Sequence, residues 1–447
     1  MMPLSITDYF TDAVLRAPTI GCMLMCMSAA LVGVIVFLKK QSLLGESLSH
    51  AAYPGVIIGA IIAGMMDIDE NSELSIALLA MGGAFVSALI GMWAIGFLQK
   101  HLKAYGDSAL CFVLASFFGI GLTLASQVQF TYTSLYRQIQ VYLYGQAATM
   151  TDVHIFIYGI LSLSILIVII AFYKEIQAIA FDPEYFRSLG INKSLVDVLV
   201  FFLIVLAVVI GIRSVGVVLM SAMLVAPAAA ARQYSNKLYR IFFLAAFFGI
   251  LSGFLGNYLS VEFSNMLAKK YPGERIALPT GPMIVLVASF ICFLSLMFAP
   301  KRGLLIRLAR IISFRHQCMC ENLLKAIWRF GSDKIVSFDS IAKYQSASCR
   351  YLRFVLRSLT RQGWVQKIEE GYCLTPEGFI WAARIVRLHR LWEVYLVDYL
   401  GVGAERVHRS AEEMEHTITP ELEAELTLIL NDPKHDPHHQ PIPPLEK

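Results

Sequence analysis

The chain has 447 residues, of which 57% are hydrophobic and only 16% are charged, and its mean hydropathy is +0.62. This composition excludes an ordinary soluble protein and is typical of an integral membrane protein. The formal net charge of +4 is small, so the distribution of charge along the chain is more informative than its total. Acidic and basic residues concentrate after residue 300, which predicts a water-soluble C-terminal part.

Nine apolar segments before residue 300 are long enough, or nearly so, to cross a bilayer, since a helical span needs roughly 20 apolar residues. Segment 51–66 is short and could be re-entrant, which leaves eight spans as the alternative. The predicted fold class of this part is an all-α polytopic membrane domain with about nine transmembrane helices. The segments are 18–38, 51–66, 75–98, 108–126, 155–172, 195–212, 214–231, 241–261 and 280–300.

Basic residues indicate the orientation of these spans, because loops rich in Lys and Arg stay on the cytoplasmic side. The acidic stretch 67–73 falls on one side and most basic loop residues fall on the other, with Arg213, Lys269 and Lys270 as exceptions. We therefore expect the N-terminus outside and the C-terminus in the cytoplasm. The basic loop residues are Lys39, Lys40, Lys100, Lys103, Lys174, Arg187, Lys193, Arg232, Lys237, Arg240 and Lys301.

Four polar residues within or beside the spans are candidates for a permeation route, because ionisable groups are costly inside a bilayer. His50 and Asp107 lie near predicted cytoplasmic ends, and Asp152 and His154 lie at an outer end. The alternative is that these residues cap or anchor helix ends, and the sequence leaves both interpretations open.

The loop between the fifth and sixth spans carries the signals of a short helix. After Phe181, Asp182 can cap a helix whose first residue is Pro183. Glu184 is favourable in the first turn, and Gly190 is a plausible stop. An ordinary connector would show the same signals, so physical chemistry alone predicts only a cytoplasmic helix here.

Residues 15–300 resemble the permease subunits of ABC importers for manganese, zinc and iron, the ABC-3 family. The resemblance implies a multi-pass protein of the bacterial inner membrane that receives a divalent metal from a periplasmic metal-binding protein. It also implies that loop 181–190 docks on a separate ABC ATPase subunit, and a second permease subunit is a further candidate partner. The matching motifs are GESLSHAAYPGV (45–56), KAYGDSAL (103–110), YLYG (142–145), FDPEYFRSLG (181–190), SVGVVLMSAMLVAPAAAA (214–231) and LPTGP (278–282).

ATP hydrolysis is not expected from this chain itself. The sequence contains no Gly-Lys dipeptide and therefore no P-loop of the G-x-x-x-x-G-K-[ST] type. The chain is accordingly predicted not to be an enzyme, and no organic cofactor is expected.

From Glu321 onward the apolar residues follow the period of short amphipathic helices. One of these helices, expected to begin at Ser346, carries arginines at steps of three and four residues. Two β-prone runs around Gly371 then predict a hairpin. Helix, helix, basic helix and hairpin is the order of a winged helix-turn-helix, whose basic helix enters the DNA major groove. A solvated face is the alternative interpretation of this basic stripe, which consists of Arg350, Arg353, Arg357 and Arg361.

Histidines and carboxylates recur at helical spacing near the C-terminus. His389 and Glu393 are one turn apart on one predicted helix. A second set has offsets of four, seven and eight residues, which predicts one stripe on the next helix. Two imidazoles with carboxylates at this spacing can converge on a divalent ion, and oxygen-rich ligation suits manganese or ferrous iron. The second set is His408, Glu412, Glu415 and His416.

Residues 321–443 resemble the metal-dependent repressors of the diphtheria-toxin-repressor and manganese-transport-regulator family. The resemblance implies a homodimer that binds operator DNA when it holds Fe2+ or Mn2+, although Asn322 stands where the family has Asp or Met. The implied metal ligands are His389, Glu412, Glu415 and His416, with Glu393 and His408 as a second site. The resemblance rests on the winged helix and on LTPEG (374–378), HRLWE (389–393), HRSAEEMEH (408–416) and DPHHQPIP (436–443).

The run 301–315, with five basic residues and no acid, marks the cytoplasmic boundary between the two parts. We therefore predict a mainly α cytoplasmic region after the membrane domain. The predicted domains are a permease (1–300), a basic juxtamembrane linker (301–320), a winged helix-turn-helix DNA-binding domain (321–385) and a metal-binding and dimerisation domain (386–447). We also expect proteolysis around the linker to release the regulator, because a tethered domain reaches little of the chromosome.

The order of permease and regulator resembles the fused metal permease-regulators of chlamydiae. We therefore expect the permease of an ATP-driven iron or manganese importer, fused to a metal-dependent repressor of its own transport operon. The divalent metal would be both transported substrate and effector. Two alternatives stay open: a cytoplasmic domain that senses metal and gates the permease without binding DNA, and a membrane-bound sensor that transports nothing.

Overall fold

The structure, a computed structural model, describes residues 5–66, 73–131, 140–143, 145–181, 184, 193–271, 277–331, 334–345 and 347–444. The chain divides into two compact units, Met1–Ile306 and Arg307–Lys447. The first unit consists of long apolar helices, and the second consists of shorter helices with a small hairpin. This arrangement confirms the predicted fold class.

Within the described residues, eight helices of the first unit are long and apolar enough to cross a membrane. They are α2 (Ala13–Leu38), α3 (Ser42–Met65), α4 (Glu73–His101), α5 (Gly106–Thr131), α6 (Asp152–Ala171), α8 (Lys193–Val215), α10 (Leu238–Lys270) and α11 (Thr280–Phe298). Shorter elements lie between them, namely α1 (Asp8–Thr11), a 3-10 turn (Ala147–Thr149), α7 (Tyr173–Phe181) and α9 (Met220–Tyr234).

The short apolar helix of this unit is not the one that the sequence indicated. Segment 51–66 lies almost wholly inside the 24-residue helix α3 and so has the length of a full span. Segment 214–231 is interrupted instead, because the φ of Gly216 is +93°, and a left-handed residue stops a helix. The following helix α9 has 15 residues, or about 22 Å. It starts beside the last turns of α8, where a Cβ on Gly211 would lie 2.2 Å from Met220 Sδ.

Polar contacts show which helix ends of the first unit lie together. At the start of α2, Arg16 pairs with Asp152 at 2.5 Å, and just after its end Lys39 pairs with Asp197 at 2.6 Å. The chain enters and leaves this unit at opposite ends. The end of the unit that contains Arg16 also contains the Tyr9–Glu262 and Ala147–Thr280 hydrogen bonds, and Glu262 belongs to the C-terminal part of α10. The N-terminal end of α10 lies beside the Arg302–Asn236 hydrogen bond, at the opposite end of the unit.

Glycines allow α2, which is buried along most of its length, to approach its neighbours closely. A Cβ on Gly33 would lie 1.8 Å from the carbonyl oxygen of Leu224 in α9. A Cβ on Gly249 of α10 would lie 2.5 Å from the carbonyl oxygen of Cys26. Close backbone approach at small residues is typical of helix packing in membranes, where van der Waals contact drives association.

The second unit contains most of α12 (Leu304–Phe330), followed by α13 (Phe338–Tyr344) and α14 (Cys349–Arg361). Residues 304–320, which the sequence assigned to a linker, are helical. Strands β1 (Val365–Ile368) and β2 (Gly371–Leu374) pair antiparallel, with Val365 opposite Leu374. Apolar side chains of all these elements share one core, which includes Leu323, Leu324, Ile327, Ile341, Leu352, Val355, Leu356, Leu359 and Val365.

Three further helices, α15 (Pro376–Asp398), α16 (Ala404–Met414) and α17 (Pro420–Ile429), follow the hairpin. α15 is capped by Thr375, whose hydroxyl accepts the Gly378 N–H at 3.1 Å. α14 starts later than predicted, because Ser348 caps it by accepting the Tyr351 N–H. The predicted cap, Ser346, lies outside the described residues.

Candidate metal centre and nucleic-acid interface

Helices α15 and α16 bring three of the predicted metal-binding side chains together. His389 and Glu393 lie one turn apart in the middle of α15, and both are buried. On α16, Val407 and Ala411 are wholly buried, so this face is fixed against the rest of the unit. His408 follows Val407 directly and therefore lies at the edge of the packed face, next to α15.

His389, Glu393 and His408 form a compact group, here called the His389 cluster. The His408 Nδ1 lies 3.0 Å from Glu393 Oε1 and 3.0 Å from His389 Nε2, and His389 Nε2 lies 3.2 Å from Glu393 Oε1. Among the described residues, these three offer one ligand atom each within 4.8 Å of one another. The His408 side chain is 58% exposed, so the group is open to solvent on one side.

The residues of this cluster stabilise each other's charged forms. Burial alone would raise the pKa of Glu393, but hydrogen bonds with His389 and His408 outweigh burial and hold that pKa below its ordinary value. Burial alone would lower the pKa of His389, but Glu393 and Glu415 outweigh it and raise that pKa. A buried carboxylate thus attracts positive charge here, and two imidazoles with a carboxylate are a donor set that iron, manganese and zinc accept.

A second group, here called the Glu415 cluster, consists of Glu321, Lys325, Glu415 and His416. Lys325 Nζ lies 2.6 Å from Glu415 Oε1, and His416 Nδ1 lies 2.5 Å from Glu321 Oε2. Glu321 and Lys325 are one turn apart on α12. Burial alone would raise the pKa of Glu415, but His389 and Lys325 outweigh it and hold that pKa below its ordinary value.

The structure distributes the predicted ligands differently from the sequence pattern. The predicted stripe needs a helix that continues through His416, but α16 ends at Met414, and the chain then turns. Glu412 is half exposed, and its Oε1 lies 3.7 Å from His408 Nε2, at the rim of the His389 cluster. Glu415 and His416 belong to the other cluster, and Glu415 Oε2 reaches His389 Nδ1 at 2.5 Å.

Sequence reasoning missed Lys325 and gave Glu321 no role. Both side chains flank the buried face of α12 that Leu324 forms, and the four-residue spacing of the two charges was the available signal. Their partners lie 90 and 95 residues further along the chain, a pairing that helical periodicity does not reveal.

The predicted basic stripe lies on the outer face of α14. Leu352, Val355, Leu356 and Leu359 are wholly buried, and this fixes the opposite face toward solvent. Arg353 stacks over the ring of Phe338, with 5.0 Å from the guanidinium carbon to the ring centroid. All four predicted arginines are exposed: Arg350, Arg353, Arg357 and Arg361.

The predicted ATPase-coupling loop lies mostly outside the described residues, which exclude Asp182, Pro183 and Gly190. Phe181 is the last residue of α7 and is exposed. Glu184 is helical and exposed. The coupling helix therefore stays a prediction.

Of the four polar residues predicted for permeation, three lie at helix ends, and two of these three make contacts typical of such positions. Asp152 pairs with Arg16, the His154 ring bonds to Thr151 in a capping box, and Asp107 is exposed in the first turn of α5. These contacts fit the alternative that the sequence left open.

His50 differs from these three because it lies inside α3. It is buried, its ring centroid lies 4.6 Å from that of Phe118, and its Nδ1 has no hydrogen-bond partner among the described residues. Glu46, which sequence reasoning missed, lies one turn earlier on the same helix face. A histidine and a carboxylate one turn apart on a helix long enough to span a membrane are candidates for contact with a passing cation.

Comparison with known proteins gives one family match in each unit. The model of the ABC 3 transport family matches residues 11–299. The model described as iron dependent repressor, metal binding and dimerisation domain, matches residues 375–444. The two matches fall in different units and agree with the two resemblances that the motifs carry.

Individual relatives cover long parts of the chain. It is 40% identical over 445 residues to a probable metal transport system membrane protein of Chlamydia pneumoniae, which covers 98% of both chains. It is 31% identical over 380 residues, 84% of this chain and 82% of the other, to the manganese transport system membrane protein MntC of Bacillus subtilis. Among solved structures, PsaBC from Streptococcus pneumoniae in complex with Fab matches with a TM-score of 0.55 and 26% identity, over 66% of this chain and 96% of that one.

Proposed function

This chain belongs to the ABC 3 transport family, and from that premise we propose that it is the permease subunit of an ATP-driven iron or manganese importer whose second unit represses the importer's own operon. The chain is a metal-transport permease fused to a domain of the iron-dependent repressor type. The observation that carries the regulatory part of the proposal is the convergence of His389, Glu393 and His408 from two helices.

In the permease, the N-terminus lies outside and residue 300 lies at the cytoplasmic face of the inner membrane. The support is that Lys39 and Arg302 lie at the end of the unit where most basic loop residues occur, as the positive-inside rule requires. A separate ATPase subunit docks on loop 181–190, a periplasmic metal-binding protein delivers the ion, and a second permease subunit completes the transporter. His50 and Glu46 line the route of the ion.

In the regulator, Fe2+ or Mn2+ binds at the His389 cluster. His389 and Glu393 are held by their packing in α15, and His408 brings α16 to the same point, so the residues fit an ion that prefers nitrogen and oxygen ligands. A bound ion supplies positive charge that links the two helices. Glu412, at the rim, can add a further oxygen.

The basic helix α14 carries the contact with operator DNA. Its four exposed arginines suit phosphate contacts and a position in the major groove. Two regulator units pair as a homodimer so that two such helices meet two half-sites. Metal shifts the regulator toward the DNA-binding arrangement because it binds that arrangement more tightly than the alternative one. Excess cytoplasmic metal then represses the transport operon and so reduces uptake. Cleavage within residues 301–320 releases the regulator from the membrane.

The test uses the full-length protein in lipid nanodiscs and DNA from upstream of its transport operon. We expect DNA binding that requires manganese or ferrous iron, and that disappears in His408→Ala. The control is Arg409→Ala, since Arg409 is the exposed neighbour of His408 on α16. Metal binding without any metal-dependent DNA binding would contradict the repressor.

A second candidate function is direct control of transport by the regulator, without DNA. The observation that favours it concerns α12, which begins after a short turn that follows the last membrane helix. This one continuous helix contains both Glu321 and Lys325. Uptake by proteoliposomes that hold the complete transporter separates the two functions. A cytoplasmic-side metal that inhibits uptake in the absence of DNA supports direct gating.

A further inference from the structure

Among the carboxylates described above in the second unit, Glu415 is the most deeply buried, because its side chain is 0% exposed. One oxygen lies 2.5 Å from His389 Nδ1, and the other lies 2.6 Å from Lys325 Nζ. The Lys325 side chain is itself only 14% exposed. A buried carboxylate is costly unless a positive charge and hydrogen bonds compensate it, and here Lys325 provides both.

The geometry at Glu415 conflicts with a metal ion at the same place. Carboxylate oxygens lie about 2.0–2.2 Å from a bound transition-metal ion, so the ion would need the space that the ammonium fills. A lysine ammonium has three donor hydrogens and no lone pair, and therefore repels a metal ion instead of ligating it. His416 is also engaged, since its Nδ1 faces Glu321.

The ammonium also fixes the neighbouring cluster. With Oε1 held by Lys325, Glu415 presents Oε2 to His389 Nδ1, and the other ring nitrogen, Nε2, then faces Glu393 and His408. A hydrogen bond at one imidazole nitrogen commonly orients the other nitrogen for metal binding. Lys325 thus acts on the His389 cluster through Glu415 as a positioning residue.

We propose that the Lys325 ammonium is a built-in replacement for a second metal ion, so that the second unit of each chain takes one divalent ion, at the His389 cluster. Glu415 and His416, which the sequence resemblance implies as metal ligands, are then held by Lys325 and Glu321 in place of metal. This inference rests on the proposed function, because it takes the His389 cluster as the metal site.

The test counts bound manganese per chain in the full-length protein, by equilibrium dialysis and elemental analysis. Lys325→Met keeps the length of the side chain and removes its charge, so we expect one additional ion per chain compared with the unsubstituted protein. The double variant Lys325→Met, Glu415→Gln removes both charges and should lose that additional ion. Lys343→Met, at an exposed lysine on α13, should leave the count unchanged.

A second measurement keeps the inference testable if Lys325→Met fails to fold. His416→Gln in the otherwise unsubstituted protein should keep the manganese count, because His416 faces Glu321 and ligates no ion there. Loss of one ion in His416→Gln, or an unchanged count in folded Lys325→Met, would overturn the replacement of metal by lysine. Failure of the proposed function gives a different result, namely no loss of an ion in His408→Ala.

Discussion

His408 Nδ1 lies 3.0 Å from Glu393 Oε1, although 15 residues and the turn between two helices separate them. Neither residue reaches the other within one helix, so the contact exists only when α15 and α16 are packed. The metal binding proposed at this point therefore depends on the packing of the two helices.

Removal of the exposed imidazole should weaken metal binding directly. We expect His408→Ala to lower the manganese affinity of the regulator by about 10- to 100-fold or more, on the scale of losses at metal sites. The unfolding temperature of the metal-free protein should change little, because this side chain is largely exposed. His435→Ala, an exposed histidine of the C-terminal tail, is the matched control, and equal affinities of the two variants would exclude His408 as a ligand.

The metal-free second unit should be most stable in mildly acidic solution. The raised pKa of His389 gives stability that is complete below its ordinary pKa of 6.5 and is lost as pH rises through the shifted value. The lowered pKa of Glu393 gives stability that is present above its ordinary pKa of 4.5 and is lost as pH falls through the shifted value. Thermal unfolding with chelator present should thus show a maximum between these two pH values, and stability that rises from pH 6 to pH 8 would contradict it.

Metal affinity should show the opposite trend with pH in this range. The ion competes with the proton on His389, so manganese affinity should rise as pH increases above 6.5, with release of protons on binding. Isothermal titration in buffers of different ionisation enthalpy measures those protons. Binding without proton release near pH 6.5 would show that the ion does not displace a proton from His389.

DNA binding should depend on the α14 arginines through the phosphate backbone. We expect Arg357→Ala to weaken binding to specific and nonspecific DNA alike and to reduce the salt slope of the logarithm of affinity by about 0.9. Arg409→Ala, on α16, should leave the slope unchanged. An unchanged slope in Arg357→Ala would support the solvated-face interpretation of this arginine.

Close packing in the permease should be sensitive to a single methyl group. Gly33→Ala places a Cβ against the Leu224 carbonyl oxygen, and we expect a loss of about 1–3 kcal/mol or more in stability, seen as a lower unfolding temperature in detergent. Gly159→Ala is the matched control, since a Cβ there meets no described atom within 4 Å and Ala favours a helix. Equal unfolding temperatures of both variants would contradict the close contact between α2 and α9.

The sequence predicted the fold class well because hydropathy and helical period are local properties. Its errors arose where one residue or a distant partner decides the structure. The apolar run 214–231 reads as one span, but the backbone of Gly216 divides it. The spacing of His408 to His416 reads as one stripe, but the helix ends at Met414. Lys325 could not be assigned, because its partner Glu415 follows α16, 90 residues further along the chain, and helical spacing carries no information on such distant pairs.

The exposure of His408 has a kinetic consequence. With two proposed ligands buried and one at the surface, an ion would enter or leave the His389 cluster by rotation of a single side chain, without separation of the helices. Rotation of an exposed side chain takes picoseconds to nanoseconds, whereas local unfolding takes microseconds to seconds. Occupancy would then follow the free metal concentration closely in time, so that the regulator reports the present supply of metal and does not store it.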